Sequence, residues 1–126
     1  MTAPTPRRKR GLAARRSGRR GEVFCALWLM AKGYRLIGLR LRTAYGEIDL
    51  LVRKGGVLVV VEVKRRKSLE SALDAVTPRQ RERLRRAAQA VAARGGSPAS
   101  ISVRLDLMAL APGRLPRHIP DAWREN

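Results

Sequence analysis

Two acids and one lysine near the middle of the chain, Asp49, Glu62 and Lys64, have the types and the spacing to do chemistry together. Converging carboxylates are typical ligands of Mg²⁺, which proteins usually hold with one or two carboxylates plus waters or phosphates. A nearby ammonium can stabilise negative charge that develops on a reacting phosphate. This set of side chains therefore points to metal-assisted chemistry on a phosphate ester.

A β-hairpin over residues 46–66 is the element that would bring these side chains together. Its first arm, residues 47–53, alternates in side-chain character, and its second arm, residues 57–64, is rich in valine, a strong strand former. Gly55-Gly56 lies between the arms and tolerates the positive φ values of a two-residue hairpin turn. The stretch therefore predicts two antiparallel strands joined by a tight turn.

The predicted turn also fixes which residues face each other, because opposed residue numbers then sum to 111. Asp49 would face Glu62, Glu47 would face Lys64, and Leu51 would share the face of Asp49, with opposed Cβ atoms about 4.5–5.5 Å apart. Opposite charges across an exposed hairpin occur without any function. The valine-rich second arm predicts burial on both faces, however, and a buried acid needs a cation or a hydrogen bond as partner.

The same residues resemble a known enzyme superfamily. Asp49 followed by Glu62-Val63-Lys64 is similar to the Asp…Glu-x-Lys motif of PD-(D/E)XK nucleases. The longer strings at 46–51 and 61–66 resemble the bacterial YraN-like family of predicted endonucleases, which is related to Holliday junction resolvases. Outside the hairpin, the resemblance extends to Gly21-Glu22, Val76-Thr77-Pro78-Arg79 and Arg104-Leu105-Asp106, so that it covers roughly residues 18–110.

The resemblance implies a fold and an activity. The fold is an α/β αβββαβ core of the restriction-endonuclease type, with a mixed central sheet flanked by helices. The activity is Mg²⁺- or Mn²⁺-dependent hydrolysis of phosphodiester bonds in DNA, with branched recombination or repair intermediates among the candidate substrates. Asp49, Glu62 and the carbonyl of Val63 would bind the metal, Lys64 would orient water or stabilise charge, and Glu22 would complete the outer shell.

The first helix is predicted from near Ser17 to Lys32, with Gly33 as its C-cap. Glu22 lies on the apolar stripe of this helix, and two interpretations stay open. It is either a first-turn acid that the helix dipole favours, or the acid that the family places beside the site. The family usually shows Asn near the end of the following strand, where Arg40 stands here, so no role of that Asn is carried over.

The remaining elements follow an α/β order. A first strand over residues 34–42 precedes the hairpin, a connecting stretch covers 68–76, and a strand over 99–111 should run parallel to a neighbour because it returns through a helix. The predicted division is a basic disordered tail over 1–16, a nuclease-like domain over 17–111 and a C-terminal tail over 112–126.

The second long helix has a clear predicted start. Thr77 is a good N-cap, Pro78 suits the first helical position, and Gln80 completes a capping box. Gln80 has a second interpretation, because some superfamily members use a Gln on this helix near the metal, but the capping interpretation is favoured here. Gln80 and Glu47 are therefore accessory candidates.

The charge of the chain predicts a polyanionic partner. Twenty-eight Lys and Arg against 10 Asp and Glu give a net charge of +18, which favours nucleic acid, most simply DNA. The predicted contacts are Arg65, Arg66, Lys67, Arg79, Arg81, Arg83, Arg85 and Arg86. Three alternatives stay open: a solvated basic face, a non-catalytic nucleic-acid-binding protein that keeps the fold, and a basic ribosome-associated protein.

Other residues bound the setting. Cys25 is the single cysteine, which excludes an internal disulfide and fits a reducing cytoplasm. Residues 1–20 lack the apolar core of a signal peptide, and the apolar run 23–31 is too short to span a bilayer. His118 has no Cys or His companion, so a zinc site is not expected. We therefore expect a cytoplasmic protein with no membrane partner, and a homodimer stays open.

Overall fold

A computed structural model of the chain describes residues 20–95 and 101–124. The elements in chain order are α1 (residues 20–31), β1 (Arg35–Thr43), β2 (Gly46–Lys54), β3 (Val57–Arg65), α2 (Leu69–Asp74), α3 (Pro78–Arg94), β4 (Ser102–Leu110) and β5 (Arg117–Ile119). The predicted basic tail over 1–16, the predicted helix start near Ser17 and the first residues of the last predicted strand, 99–100, lie outside the described residues. No helix within the described ranges is long and apolar enough to cross a membrane.

The five strands form one mixed sheet in the order β1-β2-β3-β4-β5. Strands β1, β2 and β3 form an antiparallel meander, β4 runs parallel to β3, and β5 pairs antiparallel with β4. The parallel step is the one that α3 bridges, as the helix return predicted. The α/β fold class, with a mixed sheet flanked by helices, is therefore confirmed, and the order matches an αβββαβ core.

The hairpin register is also confirmed. The β2–β3 partners run from Lys54–Val57 to Leu50–Val61, and each pair sums to 111. Gly55 has a φ of +59°, in the left-handed region that a tight hairpin turn requires of its first central residue. The turn thus sets the register locally, before any packing against a helix is considered.

Helices cover both faces of the sheet, and each face has its own buried cluster. The cluster under α1 consists of Cys25, Ala26, Leu29, Leu50, Val52, Val59, Val61, Met108 and Leu110. The cluster under α3 consists of Ile48, Leu51, Leu58, Val60, Leu84, Ala87, Ala88, Ala92 and Leu105. A smaller cluster joins Ala72 of α2 to Leu107 and Ala109 of β4, on the same side of the sheet as α3. Burial on both sides explains why β3 is almost continuously apolar.

Helix α3 begins as its sequence predicts. The hydroxyl of Thr77 accepts a hydrogen bond from the Gln80 N–H at 3.2 Å, and Gln80 Oε1 accepts one from the Thr77 N–H at 3.0 Å. Pro78 occupies the first turn, where its missing N–H costs nothing. The helix ends at Arg94, just before Gly95, as predicted.

The C-terminal segment differs from the predicted tail, because it joins the sheet. Strand β5 pairs with the end of β4, and His118 lies opposite Met108. The indole N–H of Trp123 donates to the carbonyl of Leu73 at 3.0 Å, which ties the segment to α2. A three-residue strand between prolines has too short a pattern to be recognised from sequence, so its partner in the sheet is what defines it.

Candidate active site

Asp49 lies where β2 and β3 begin to separate. The ladder between the two strands ends at the pair Leu50–Val61, one step before Asp49 and Glu62 would meet. There the backbone N–H of Val63 donates to Oδ2 of Asp49 at 3.1 Å, so the carboxylate occupies the gap between the strands.

Side-chain alternation along β2 is interrupted beside Asp49. Ile48 and Leu51 both belong to the cluster under α3 although they are three residues apart, and Leu50 belongs to the cluster under α1. On the neighbouring strand Arg40 has a φ of +50°, which is uncommon for a residue with a side chain. The expectation that Asp49 shares the face of Leu51 stays a prediction, because the alternation on which it rests is interrupted here.

Glu62 and Lys64 share a face, as predicted. By their pairing with Leu107 and Ala109 of β4, they lie on the side of the sheet that α2 and α3 cover. The Nζ of Lys64 is 3.4 Å from Oε1 of Glu62, whose side chain is only 14% exposed. Burial raises the pKa of Glu62 to about 7, and the charge of Asp49 adds to this effect while Lys64 opposes it. One ammonium is thus insufficient to offset the burial of two neighbouring carboxyl groups.

Glu22 reaches Asp49 from the α1 side of the sheet. Burial raises the pKa of Glu22, and the charges of Asp49 and Glu47 raise it further, whereas the hydrogen bond from Arg40 lowers it. The Arg40 Nε donates to Oε2 of Glu22 at 2.7 Å. Asp49 therefore lies between two buried acids, with Glu62 on one side of the sheet and Glu22 on the other.

A close approach of α1 to the sheet accounts for the Gly21-Glu22 pair. A Cβ atom at Gly21 would lie 2.9 Å from Cδ1 of Leu110 and 3.4 Å from Nη2 of Arg65. Glycine therefore allows α1 to sit against the ends of β3 and β4, and this contact holds Glu22 near the gap. The motif thus has a packing reason in addition to any chemical one.

Arg40 is the residue of this centre that sequence reasoning missed. It was noted only as a departure from the family's Asn, yet it is the hydrogen-bond partner of the buried Glu22. Its backbone conformation is left-handed, and no local sequence signal predicts that conformation in an arginine. The sequence feature that could have indicated a role for Arg40 is its position between apolar residues of an edge strand.

The two accessory candidates have different surroundings. Glu47 is exposed and lies opposite Arg42 in the β1–β2 ladder. The β2–β3 ladder ends before the predicted pairing of Glu47 with Lys64 would form. Gln80 uses its Oε1 to cap α3, which agrees with the structural interpretation.

The predicted nucleic-acid contacts fall into three groups. Arg65, Arg66 and Lys67 are exposed and continue β3 past Lys64. On α3, Arg79, Arg83 and Arg86 are exposed and lie on one stripe beside Tyr45. Arg81 and Arg85 lie on another stripe beside Trp123, and the guanidinium of Arg81 is 5.7 Å from the centre of that indole ring. The arginines of α3 therefore form two surfaces rather than the single one that their sequence suggests.

A second buried carboxylate, Asp106, lies further along β4 and is fully paired. It accepts hydrogen bonds from Nε and Nη2 of Arg104, both at 2.8 Å, and from the N–H of Asp121 at 3.0 Å, and it lies 2.7 Å from Nε2 of His118. Burial raises the pKa of Asp106, but these bonds outweigh it and hold the pKa below the usual value. Arg104 and His118 therefore belong to one network around Asp106.

Among the described residues, no group of three or more His, Cys, Asp and Glu side chains is arranged to hold a metal ion. The acidic centre instead offers the Asp49 and Glu62 carboxylates beside the backbone of Val63. The chain is therefore an α/β protein with a mixed five-stranded sheet, and two neighbouring half-buried carboxyl groups lie where β2 and β3 separate.

Comparison with known proteins identifies the family. The model of the family described as "Uncharacterised protein family UPF0102" matches residues 21–110. A UPF0102 protein of Caulobacter vibrioides (strain NA1000 / CB15N) is 64% identical over 117 residues, which cover 93% of this chain and 94% of the relative. A UPF0102 protein of Paramagnetospirillum magneticum is 47% identical over 116 residues, which cover 89% and 90%. The chain belongs to the UPF0102 family, and the predicted YraN-like membership is confirmed.

Proposed function

We propose that this protein is a Mg²⁺- or Mn²⁺-dependent endonuclease that hydrolyses phosphodiester bonds in DNA. The observation that carries the proposal is the half-buried pair of Asp49 and Glu62, with Lys64 at 3.4 Å from Glu62. When two carboxyl groups lie close together, their repulsion raises the pKa of one of them. A divalent cation bound between them removes this repulsion and stabilises both. A protein that only binds DNA gains nothing from acids of this kind beside a basic surface.

The donor set fits a hard cation. Asp49, Glu62 and the carbonyl of Val63 would hold the ion, which leaves positions for waters and a phosphate oxygen, as is usual for Mg²⁺. When bound, the ion polarises the phosphate and acidifies a bound water. Asp49 is held for this role by the Val63 N–H, which fixes one carboxylate oxygen at 3.1 Å.

The neighbouring side chains have distinct roles in the proposal. Lys64 has its ammonium beside Glu62, where it would stabilise charge that builds on the phosphate oxygens. Glu22, neutralised by Arg40 at 2.7 Å, would position Asp49 from the α1 side. Arg65, Arg66 and Lys67 continue from the same strand and would contact the flanking phosphates.

The net charge of +18 favours a second candidate as well, a non-catalytic nucleic-acid-binding protein. Incubation of the full chain with branched, flapped and linear DNA, in Mg²⁺, Mn²⁺ or EDTA, separates the two. We expect cleavage with a divalent ion and none in EDTA. Binding without cleavage under every condition would leave the binding protein as the function.

Substitutions test the assignment of roles. Asp49→Asn and Glu62→Gln should each abolish cleavage while leaving binding in EDTA unchanged or tighter, because each removes a negative charge near the DNA phosphates. Lys64→Ala should slow cleavage, because about 2–4 kcal/mol of transition-state stabilisation is lost. Metal affinity should change little, because an ammonium is not a ligand. Arg85→Ala, on the stripe of α3 beside Trp123, is the control: it should weaken DNA binding but retain cleavage of the DNA that is bound. Undiminished cleavage by Asp49→Asn protein would place the activity elsewhere or in a contaminant.

A further inference from the structure

A cleft of about 470 Å³ lies between the β1–β2 turn and α3, apart from the carboxylate centre. Its lining residues are Tyr45, Arg79, Gln80, Glu82, Arg83 and Arg86. The cleft thus combines one exposed aromatic ring with three arginines, a combination that suits a flat ring attached to a phosphate.

The three arginines line one side of the cleft because of helical spacing. Arg79, Arg83 and Arg86 are four and three residues apart, which places them on a single stripe of α3. All three are exposed. The Nε of Arg86 is held by Oε1 of Glu82 at 3.2 Å, one turn earlier. Guanidinium groups in such a row match the oxygens of a phosphate.

The aromatic side of the cleft is held by the turn between β1 and β2. The Tyr45 N–H donates to Oγ1 of Thr43 at 3.1 Å, and that hydroxyl donates to the carbonyl of Gly46 at 2.7 Å. These bonds fix the backbone on both sides of Tyr45, whose side chain is 44% exposed. The ring is therefore presented on a defined turn with a large part of its surface open to a ligand.

Gly46 brings the two sides together. Its φ is +114°, and a Cβ atom at this position would lie 2.8 Å from Nη1 of Arg83. The guanidinium of Arg83 thus packs directly on the backbone next to Tyr45. Gly46 also begins β2, so Asp49 follows three residues later, about 10 Å along the strand.

We propose that this cleft binds one unpaired nucleotide of a nucleic-acid strand, with the base stacked on Tyr45 and its phosphate on Arg79, Arg83 and Arg86. The inference rests on the proposed function, which makes nucleic acid the substrate. It narrows that substrate to strands with an unpaired base near the cleaved bond. In a regular duplex the bases are stacked on each other, so none is free to meet the ring of Tyr45. Glu82 and the amide of Gln80 line the cleft where they can meet the edge of the base.

Binding in EDTA tests this site independently of any cleavage. The full chain is titrated with a fluorescent single-stranded oligonucleotide, the matched duplex, and a single strand with abasic residues at every position. We expect Tyr45→Ala to weaken single-strand binding by about 5- to 150-fold, the range of one base–aromatic stack, and to change duplex binding by less than about twofold. Tyr45→Phe keeps the ring and should bind as the unaltered protein does. The unaltered protein should bind the abasic strand more weakly than the normal strand. Tyr45→Ala should bind the two strands equally.

The arginine variants need a control that separates loss of the cleft from loss of positive charge. Arg83→Ala and Arg85→Ala remove the same charge from α3, but only Arg83 lines the cleft. We expect both to reduce duplex binding equally and Arg83→Ala to reduce single-strand binding further. A 2-aminopurine base in the strand should lose fluorescence on binding to the unaltered protein and keep it with Tyr45→Ala.

Several results would overturn the site. These are equal losses on single strand and duplex in Tyr45→Ala, no loss on either, abasic strands that bind the unaltered protein as well as normal strands do, or free dAMP that competes as strongly as an oligonucleotide. The abasic comparison needs no variant and therefore holds even if Tyr45→Ala fails to fold. Failure of cleavage with these binding results intact would overturn the nuclease proposal and leave the nucleotide site in place.

Discussion

Two carboxyl groups of the sheet, one buried and one half-buried, are in opposite electrostatic states. Asp106 is 0% exposed, and its partners Arg104, His118 and the Asp121 N–H more than offset its burial, so its pKa is lowered. Glu62 has one ammonium at 3.4 Å and a second carboxylate as neighbour, so its pKa is raised to about 7. The partners of Asp106 thus stabilise its carboxylate, whereas Glu62 has too little positive charge nearby to offset its burial and its neighbouring carboxylate.

This difference separates a structural role from a chemical one. The partners of Asp106 come from β4 itself and from the C-terminal segment, and they hold β5 against the sheet. The neighbours of Glu62 leave negative charge uncompensated in a half-buried site, which is the condition that attracts a cation. Perturbed pKa values of this kind are more frequent at functional sites than elsewhere.

The largest expected effect comes from breaking the satisfied network. Asp106→Asn keeps the shape but removes the anion between Arg104 and His118, so we expect the free energy of unfolding at pH 7 to fall by about 3–5 kcal/mol. Denaturant unfolding measures the change. Asp121→Asn is the control, because that side chain is 42% exposed and 4.0 Å from Arg124, and it should change stability by less than about 0.5 kcal/mol.

The pH dependence has a definite sign. The folded pKa of Asp106 is lowered from 3.8, so its contribution is complete above about pH 4 and is lost as the pH falls through the folded value. The deficit of Asp106→Asn should therefore shrink in acid. A deficit that grows below pH 4 would contradict the lowered pKa.

The second effect comes from relieving the unsatisfied site. The pKa of Glu62 is raised from 4.5 to about 7, so the folded state binds more protons than the unfolded state between these values, and stability falls as the pH rises through them. At pH 8 the penalty is on the order of 3 kcal/mol. We therefore expect Glu62→Gln to raise the free energy of unfolding by about 1–3 kcal/mol more at pH 8 than at pH 4.

Unfolding curves at the two pH values, without divalent ions, measure this gain. Asp49→Asn is the matched comparison, since it removes the neighbouring charge and should flatten part of the same pH profile. A Glu62→Gln variant with an equal effect at both pH values would mean that the pKa of Glu62 is the same in the folded and unfolded states.

The third and smallest expected effect is the pH dependence of metal affinity. Binding of Mn²⁺ between Asp49 and Glu62 would displace the Glu62 proton, so we expect affinity to rise about tenfold per pH unit below pH 7 and to level off above it. Calorimetric titration at pH 5.5, 6.5 and 8 measures the change. Asp106→Asn should leave this profile unaltered if it folds, and affinity that is independent of pH in the unaltered protein would remove Glu62 from the site.

Local signals explain the features that the sequence predicted correctly. The glycine pair fixed the hairpin register, and the capping box fixed the start of α3. Each depends on residues within a few positions of one another, where turn and capping chemistry dominate the backbone conformation. The motif around Asp49 and Glu62 gave the same two carboxylates that the structure brings together.

Contacts between distant segments decided the rest. The N–H of Val63 on β3 holds the Asp49 carboxylate, β5 brings His118 to Asp106, and Tyr45 and Trp123 divide the arginines of α3 into two surfaces. None of these has a local pattern, because each depends on which element packs against which. The raised pKa of Glu62 also depends on tertiary structure. Burial and a charge from another strand produce it together, and both exist only once the sheet has formed.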